Sequence, residues 1–453
     1  MDKNILGFEK PSLLLRKFAI PSIVAMLVSS LYNIVDQIFI GQGVGYLGNA
    51  ATNVAFPLTT ICLAISLLIG VGSASGFSLE LGAGNKEKAA SYVKNALGMA
   101  CVLGVLYLVL ICLFLKPMLK VFGATKDIMD YAVAYTKITA VGMPFLILTN
   151  VMSNLIRADG SPKYSMMCMI IGAVINTILD PLFIFVFKMG MVGAAWATVI
   201  GQIVSFFAAI NYVKYFKSIE IHGKPFELHI KKWLKIASLG MSNSLNQVAI
   251  TLVQIILNNS LTYYGALSVY GSEIPLAGCG IVMKVNSILI SVFVGLAQGS
   301  QPIIGFNYGA KQYERVKKTY KLAVTSSICI AFIGFLLFQI IPEQIVALFG
   351  KGDKLYIDFS VRFMKVFLFM ITFTGVQIIS SNFFSAIGKP LKGVFLSLTR
   401  QVIFLIPLLI ILPLYLGIDG IMYSGPVSDT IAAIVCFSMV MIEFKKIDKI
   451  KEN

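Results

Sequence analysis

The chain has 453 residues, of which 57% are hydrophobic and only 13% charged, with 37 Lys and Arg against 21 Asp and Glu and a formal net charge of +16. So little charge over such a length excludes an ordinary soluble domain and indicates a multi-span helical membrane protein. The positive excess does not point to nucleic acid, because the basic residues sit in short segments between apolar runs, as the positive-inside rule requires.

Twelve apolar runs are long enough to cross a bilayer, about 20 residues or more each. They cover approximately residues 14–40, 52–79, 92–115, 128–156, 163–187, 191–215, 234–263, 276–304, 318–341, 355–386, 391–415 and 419–443. Lys3, Lys10, Arg16 and Lys17 precede the first run in the manner of a signal peptide. No convincing small-residue cleavage site follows, and the run is long enough to span, so it reads as an uncleaved first helix. With the N-terminus placed inside, the inside segments carry 26 Lys and Arg and the outside loops six. That asymmetry predicts a multi-pass plasma-membrane protein with both termini cytoplasmic. The polar, basic stretch 216–233 is too short for a domain. It reads as a cytoplasmic linker between an amino-terminal lobe, 1–215, and a carboxyl-terminal lobe, 234–453.

The two lobes are repeats. Gly72-Ser73 recurs as Gly299-Ser300, an offset of 227 that also maps Gly82-Ala83 onto Gly309-Ala310, Glu87 onto Glu314, Phe122-Gly123 onto Phe349-Gly350 and Gly193 onto Gly420. An offset of 228 maps Ser153-Asn154 onto Ser381-Asn382, and Gly160 and Pro162 onto Gly388 and Pro390. An even number of spans separates equivalent helices. The halves are therefore parallel repeats, predicted to be related by a pseudo-two-fold axis along the membrane normal.

Polar groups inside the apolar runs are the candidates for chemistry, because a carboxylate in hydrocarbon is costly. Asp36 lies one helical turn from Tyr32, and Asp180 one turn from Asn176, each pair on one helix face. At 1.5 Å per residue, Asp36 is about 30 Å along its helix from Arg16, Asp180 about 26 Å from Lys163, and Thr198 about 12 Å from the outer end of the sixth run. All three converge on the outer part of the membrane, whereas Asn150 reads deeper. Two carboxylates with Asn, Thr and Tyr oxygens suit a hard monovalent cation, Na⁺ at Asp36, Asn176, Asp180 and Thr198. They equally suit a proton shared between acids that cannot both ionise cheaply. The alternative is a neutral hydrogen-bonded cluster that only joins helices. Pro21 and Pro181 interrupt their helices as kinks or hinges.

The second half lacks these acids and instead holds Lys284, Arg362, Lys365, Arg400 and Asp429 within its runs. Lys284 and Arg400, flanked by apolar residues, are the possible substrate or structural polar sites. The seven cysteines form no CxxC, and the only histidines are His222 and His229 in one polar loop. A cysteine or histidine metal site, a histidine base and an ATP-binding loop are not expected, and no cofactor beyond a coupling ion is implied. Gly43, Gly45 and Gly48 spell GxGxxG, but in an outside loop after a membrane helix, where they are turn glycines.

These residues resemble the multidrug and toxic compound extrusion (MATE) transporters over nearly the whole chain. The most specific pieces are Tyr32 to Asp36 with Ile40-Gly41, Arg157 to Pro162, Asn176 to Pro181, Gly193 to Thr198 and Gln301 to Ala310. The resemblance implies an all-α fold of two six-helix lobes around a central V-shaped cavity. It implies the branch with its cation site in the amino-terminal lobe: Asp36 with Tyr32, Asn150, Asn176, Asp180 and Thr198, and Pro21 as the helix-bending proline. The carboxyl-terminal acids of another branch are missing here. The expected activity is antiport, with H⁺ or Na⁺ driving export of amphiphilic, often cationic compounds by a monomer without nucleic-acid partners. A lipid or polysaccharide-precursor flippase is the alternative. An intramembrane enzyme would need a nucleophile–base pair that is not visible.

Overall fold

The computed structural model describes residues 4–220, 228–348 and 353–452. In chain order its helices are α1 (Ile5–Phe8), α2 (Pro11–Gly43), α3 (Tyr46–Gly82), α4 (Lys86–Val121), α5 (Lys126–Ala158), α6 (Pro162–Pro181) and α7 (Gly190–Asn211). Then follow α8 (Ile230–Ala266), α9 (Glu273–Gly309), α10 (Tyr313–Ile340), α11 (Pro342–Ala347), α12 (Lys354–Phe367), α13 (Ile371–Ala386), α14 (Pro390–Leu398), α15 (Ile406–Leu416) and α16 (Ile418–Glu452). A π-helical turn, Leu182–Val186, extends α6, and another, Thr399–Leu405, joins α14 to α15. The helices α12 and α13 form one span bent by 49°. The result is twelve spanning segments in two six-helix lobes. His222 of the expected linker and the pair Phe349-Gly350 lie outside the described residues.

Several spans differ from the apolar runs for physical reasons. Helices of 33 to 37 residues are about 50–55 Å long, so their ends project well beyond a hydrocarbon core of about 30 Å. Arg157, just past the apolar run 128–156, therefore lies on α5 and is buried, as is Lys94 near the start of α4. The span α8 is long enough to cross but too polar to register as an apolar span, carrying Asn243, Asn246, Gln247, Gln254, Asn258 and Asn259.

The repeat is visible as reciprocal packing. A Cβ on Gly82 would meet the Phe306 carbonyl oxygen at 2.0 Å, and one on its repeat mate Gly309 would meet the Leu79 carbonyl oxygen at 2.1 Å. Likewise Gly72 faces the Ile236 carbonyl oxygen at 2.0 Å while its mate Gly299 faces the Ala19 Cα at 2.6 Å. Each pair thus packs the second helix of one lobe against the other lobe, where only glycine lets backbones touch.

These contacts lie on the side of the bundle that carries both chain ends. There Gln301 Nε2 donates to Ser75 Oγ (2.8 Å) and the Val71 carbonyl (3.1 Å), and Arg157 Nη1 donates to Gln298 Oε1 (2.7 Å). Asn307 Nδ2 donates to the Leu6 carbonyl (2.9 Å), and Arg315 Nη2 to the carbonyls of Leu6 (3.1 Å) and Glu9 (2.6 Å), strapping α1 across the joint. Asp159 accepts from Lys217 N (2.8 Å), Ser218 N (3.0 Å) and the Tyr212 hydroxyl (2.8 Å), which anchors the chain leaving α7. The Ser30 and Ser291 hydroxyls, 2.6 Å apart, add a further contact between α2 and α9.

Candidate ion-coupling site

Two glycine crossings assemble the site. Gly172 of α6 sits against α7, where an added Cβ would meet Ser205 Oγ at 2.0 Å and the Gly201 carbonyl at 2.8 Å. That approach sets Asn176, one turn beyond Gly172, opposite Thr198, one turn before Gly201 or nearly so. At the far end of α2, Gly43 leaves room for Ile184, whose Cγ2 would be 2.0 Å from an added Cβ. This draws α2 onto the π-turn that follows Pro181 and sets Asp36 beside Asp180. Pro181 has no N–H to give its helix, which accounts for the change of winding there. Pro21, in contrast, is buried inside a helix that continues unbroken past it, although its neighbours Ile20 and Val24 are exposed.

The two carboxyl groups face each other closely enough to share a hydrogen bond, and Tyr32 lies in the field of both. Asp180 is fully buried and Asn176 is 3% exposed, while Asp36, Tyr32 and Thr198 are half-buried. With its nitrogen turned to Asp180, the Asn176 amide donates to Oδ2 at 3.3 Å and its oxygen accepts from Thr198 N at 3.2 Å. Turned the other way, its nitrogen meets Thr198 Oγ1 at 3.4 Å. One oxygen of each acid, Asp36 Oδ1 and Asp180 Oδ1, is buried without a partner. Buried carboxylate oxygens demand a proton or a cation. The arrangement therefore provides what one H⁺ or one Na⁺ would satisfy.

Asn150 stands apart. Its Nδ2 donates to the Leu146 carbonyl of its own helix at 3.0 Å, and among the described residues no hydrogen bond joins it to the other five. The residue of α5 that does reach the cluster is Tyr135, which faces Asp36, Tyr32 and Asp180 and contacts Thr198. Fifteen residues, about 22 Å of helix, separate it from Asn150. The sequence reading missed Tyr135. Its only signal was a tyrosine on the same helix as Asn150.

In the second lobe Arg400 is not a free cation. It pairs with Asp429, and both side chains are buried. Arg362 pairs at its edge with Asp419 at 2.9 Å. Lys284 is exposed, and its ammonium has no hydrogen-bond or ion-pair partner among the described residues, although its carbonyl accepts from Ser287 Oγ at 2.7 Å. Removing one member of a buried pair strands the other charge, at a cost of about 3–5 kcal/mol. Arg400→Met alone is therefore expected to lower the thermal unfolding temperature sharply in detergent. Arg400→Met with Asp429→Leu restores it and retains export. Loss of export from a stable double variant would give Arg400 a part in transport.

The MatE family profile matches residues 21–182 and 244–411, one match in each half. Multidrug export protein MepA of Staphylococcus haemolyticus is 25% identical over 97% of this chain and 96% of its own length. MepA of Staphylococcus saprophyticus is 24% identical over the same shares. Among solved structures, a MATE protein in complex with MaD3S superposes with a TM-score of 0.92 at 23% identity, covering 99% of both chains. An outward-facing multidrug resistance MATE transporter of the MOP superfamily also gives 0.92, at 22% identity and the same coverage.

Proposed function

The chain belongs to the MatE family, and from that premise we propose that it is a secondary active efflux transporter. It exports amphiphilic, often cationic compounds from the cell in exchange for H⁺ or Na⁺. The observation that carries the reading is the facing pair Asp36 and Asp180, each with a buried, unpartnered oxygen. The export function named for the MepA relatives supports the substrate class.

Both termini lie in the cytoplasm on this reading, so the V opens outward. The lobes are 1–215 and 234–453, joined by 216–233, and the protein acts as a monomer in the plasma membrane without a resident cofactor. With both acids ionised the site holds two negative charges away from bulk water. One H⁺ or one Na⁺ entering from outside relieves that repulsion, bridging Asp36 and Asp180 with Asn176, Thr198 and Tyr32 around it. Tyr135 supplies a further oxygen. Asn150 joins only if α5 moves relative to α6 and α7. Ion binding shifts the lobes toward the inward-open arrangement to the extent that it favours that arrangement. Pro21 and Pro181 are the places where α2 and α6 yield.

The flippase alternative rests on the cationic residues of the second lobe as holders of a phosphate. The ion pair of Arg400 with Asp429 leaves Lys284 alone, which weakens it.

Export of a fluorescent cationic dye from membrane vesicles, under an imposed Na⁺ gradient and separately under an imposed pH gradient, tests the reading. Export is expected to follow one gradient and stop when it collapses. Equal export with neither gradient, or none with either, would remove the antiport reading.

A further inference from the structure

Away from the carboxylate pair, on the side that carries the chain ends, a cavity of about 550 Å³ opens between the first turn of α2 and the start of α10. Its wall includes Pro11, Arg315, Lys318, Lys321, Leu322 and Thr325. We propose that this cavity is a binding site for the phosphate headgroup of an anionic phospholipid.

Charge accounting comes first. Lys317 and Glu314 also line the cavity, 3.0 Å apart, and Lys317 is further paired with Asp448, so one lysine is shared by two acids. Lys318 and Lys321 are exposed and have no hydrogen-bond or ion-pair partner among the described residues. Arg315 donates only to neutral oxygens, those of Leu6, Glu9 (its carbonyl) and Asn307. Arg315, Lys317, Lys318 and Lys321 thus outnumber Glu314 and Asp448, which leaves a net positive charge of two around the concavity. A phosphate is the matching anion.

The second observation selects a lipid over a soluble phosphate. Lys318, Lys321, Thr325, Cys329, Phe332 and Leu336 recur at three- and four-residue spacings, so they form one stripe along α10. The stripe is cationic at the cavity and apolar beyond it. Cys329 is exposed, as are Phe332 at 51% and Leu336 at 37%, with Ile333 beside them at 59%. From Lys321 to Phe332 the helix rises about 16 Å, close to one leaflet of a hydrocarbon core of about 30 Å. An amphiphile with its phosphate on the lysines would lay its chains on this stripe.

The site also has a consequence for the joint between lobes. Pro11 comes from the amino-terminal lobe and the cations from the carboxyl-terminal one, while Arg315 holds the strap of α1. A lipid seated here touches both lobes on the side where they are closed.

The test uses the purified full-length chain in detergent, with phosphatidylglycerol and phosphatidylcholine added in turn and retention read by native mass spectrometry. Phosphatidylglycerol is expected to be retained in preference. Each lysine removed is expected to weaken retention about fivefold, and Lys318→Ala with Lys321→Ala roughly 25-fold. Lys318→Arg with Lys321→Arg keeps retention, which guards against a misfolded alanine variant. Equal retention of both lipids, or an unchanged affinity in the alanine variant, would overturn the proposal. So would free glycerol phosphate binding as tightly as phosphatidylglycerol, which would make the ligand a soluble anion. The assay reads no transport, so its outcome is separate from that of the antiport reading.

Discussion

Asp36→Asn and Asp180→Asn are each expected to abolish gradient-driven export at equal expression while leaving dye exchange down its own gradient intact. Asparagine has nearly the shape of aspartate and can keep the contacts with Asn176 and Tyr32. If the cluster were only a neutral hydrogen-bonded joint between α2 and α6, either variant would be close to silent. If the acids carry the coupling ion, removing one charge removes the repulsion that H⁺ or Na⁺ relieves, and the single carboxylate left holds the ion more weakly. Coupling free energies between sites run to about 1–3 kcal/mol, or 5- to 150-fold in the response to the gradient. Asp180 is fully buried and Asp36 partly so. The Asp180 variant is therefore expected to be the more stable of the two to heat, since it removes a charge held wholly out of water. Export with wild-type dependence on the gradient in both variants would place the ion elsewhere.

Much of this was legible in the chain before any coordinates. The offset of 227 between Gly72 and Gly299, and between Gly82 and Gly309, announced the two lobes because those glycines perform the same task twice. Asp36 and Asp180 stood out because charge is rare in hydrocarbon. The parts that escaped depend on contacts between distant segments. Arg400 and Asp429 are 29 residues apart, and nothing in either neighbourhood marks them as partners. Tyr135 is one of 18 tyrosines, and only the crossing of α5 with α7 gives it Thr198. Asn150 matched a family pattern by residue type, yet its depth along α5 sets it apart from the carboxylates in this arrangement. Helix ends were misjudged wherever charged residues continue a helix past the apolar run, as at Lys86, Lys88 and Arg157.

Adding a single methyl group at the reciprocal glycines is expected to disable the transporter without touching the ion site. Gly82→Ala and Gly309→Ala would each place a Cβ about 2 Å from a backbone carbonyl of the opposite lobe, at Phe306 and Leu79. A backbone cannot swing aside as a side chain does, so the second helices must separate. Overpacking of this kind costs about 1–3 kcal/mol, and here the cost falls only on the arrangement in which the lobes are closed on this side. The expected result is a shift of the resting population away from that arrangement, with export reduced in proportion. Ser30→Cys with Ser291→Cys, in a chain otherwise free of its seven cysteines, reports on it directly, because the two hydroxyl oxygens, whose places the sulfurs take, are 2.6 Å apart when the lobes are closed. Disulfide formation should be efficient in that background and fall when either alanine is added, and further when both are. Gly280→Ala is the control, since an added Cβ there meets nothing within 4 Å. Unchanged crosslinking and export in the Gly82 and Gly309 variants would mean that the lobes do not depend on this contact to close. The same logic extends to Gly72 and Gly299, whose partners lie on α8 and α2. If the pseudo-two-fold axis governs the motion, alanine at either member of a repeat pair should shift the crosslink in the same direction.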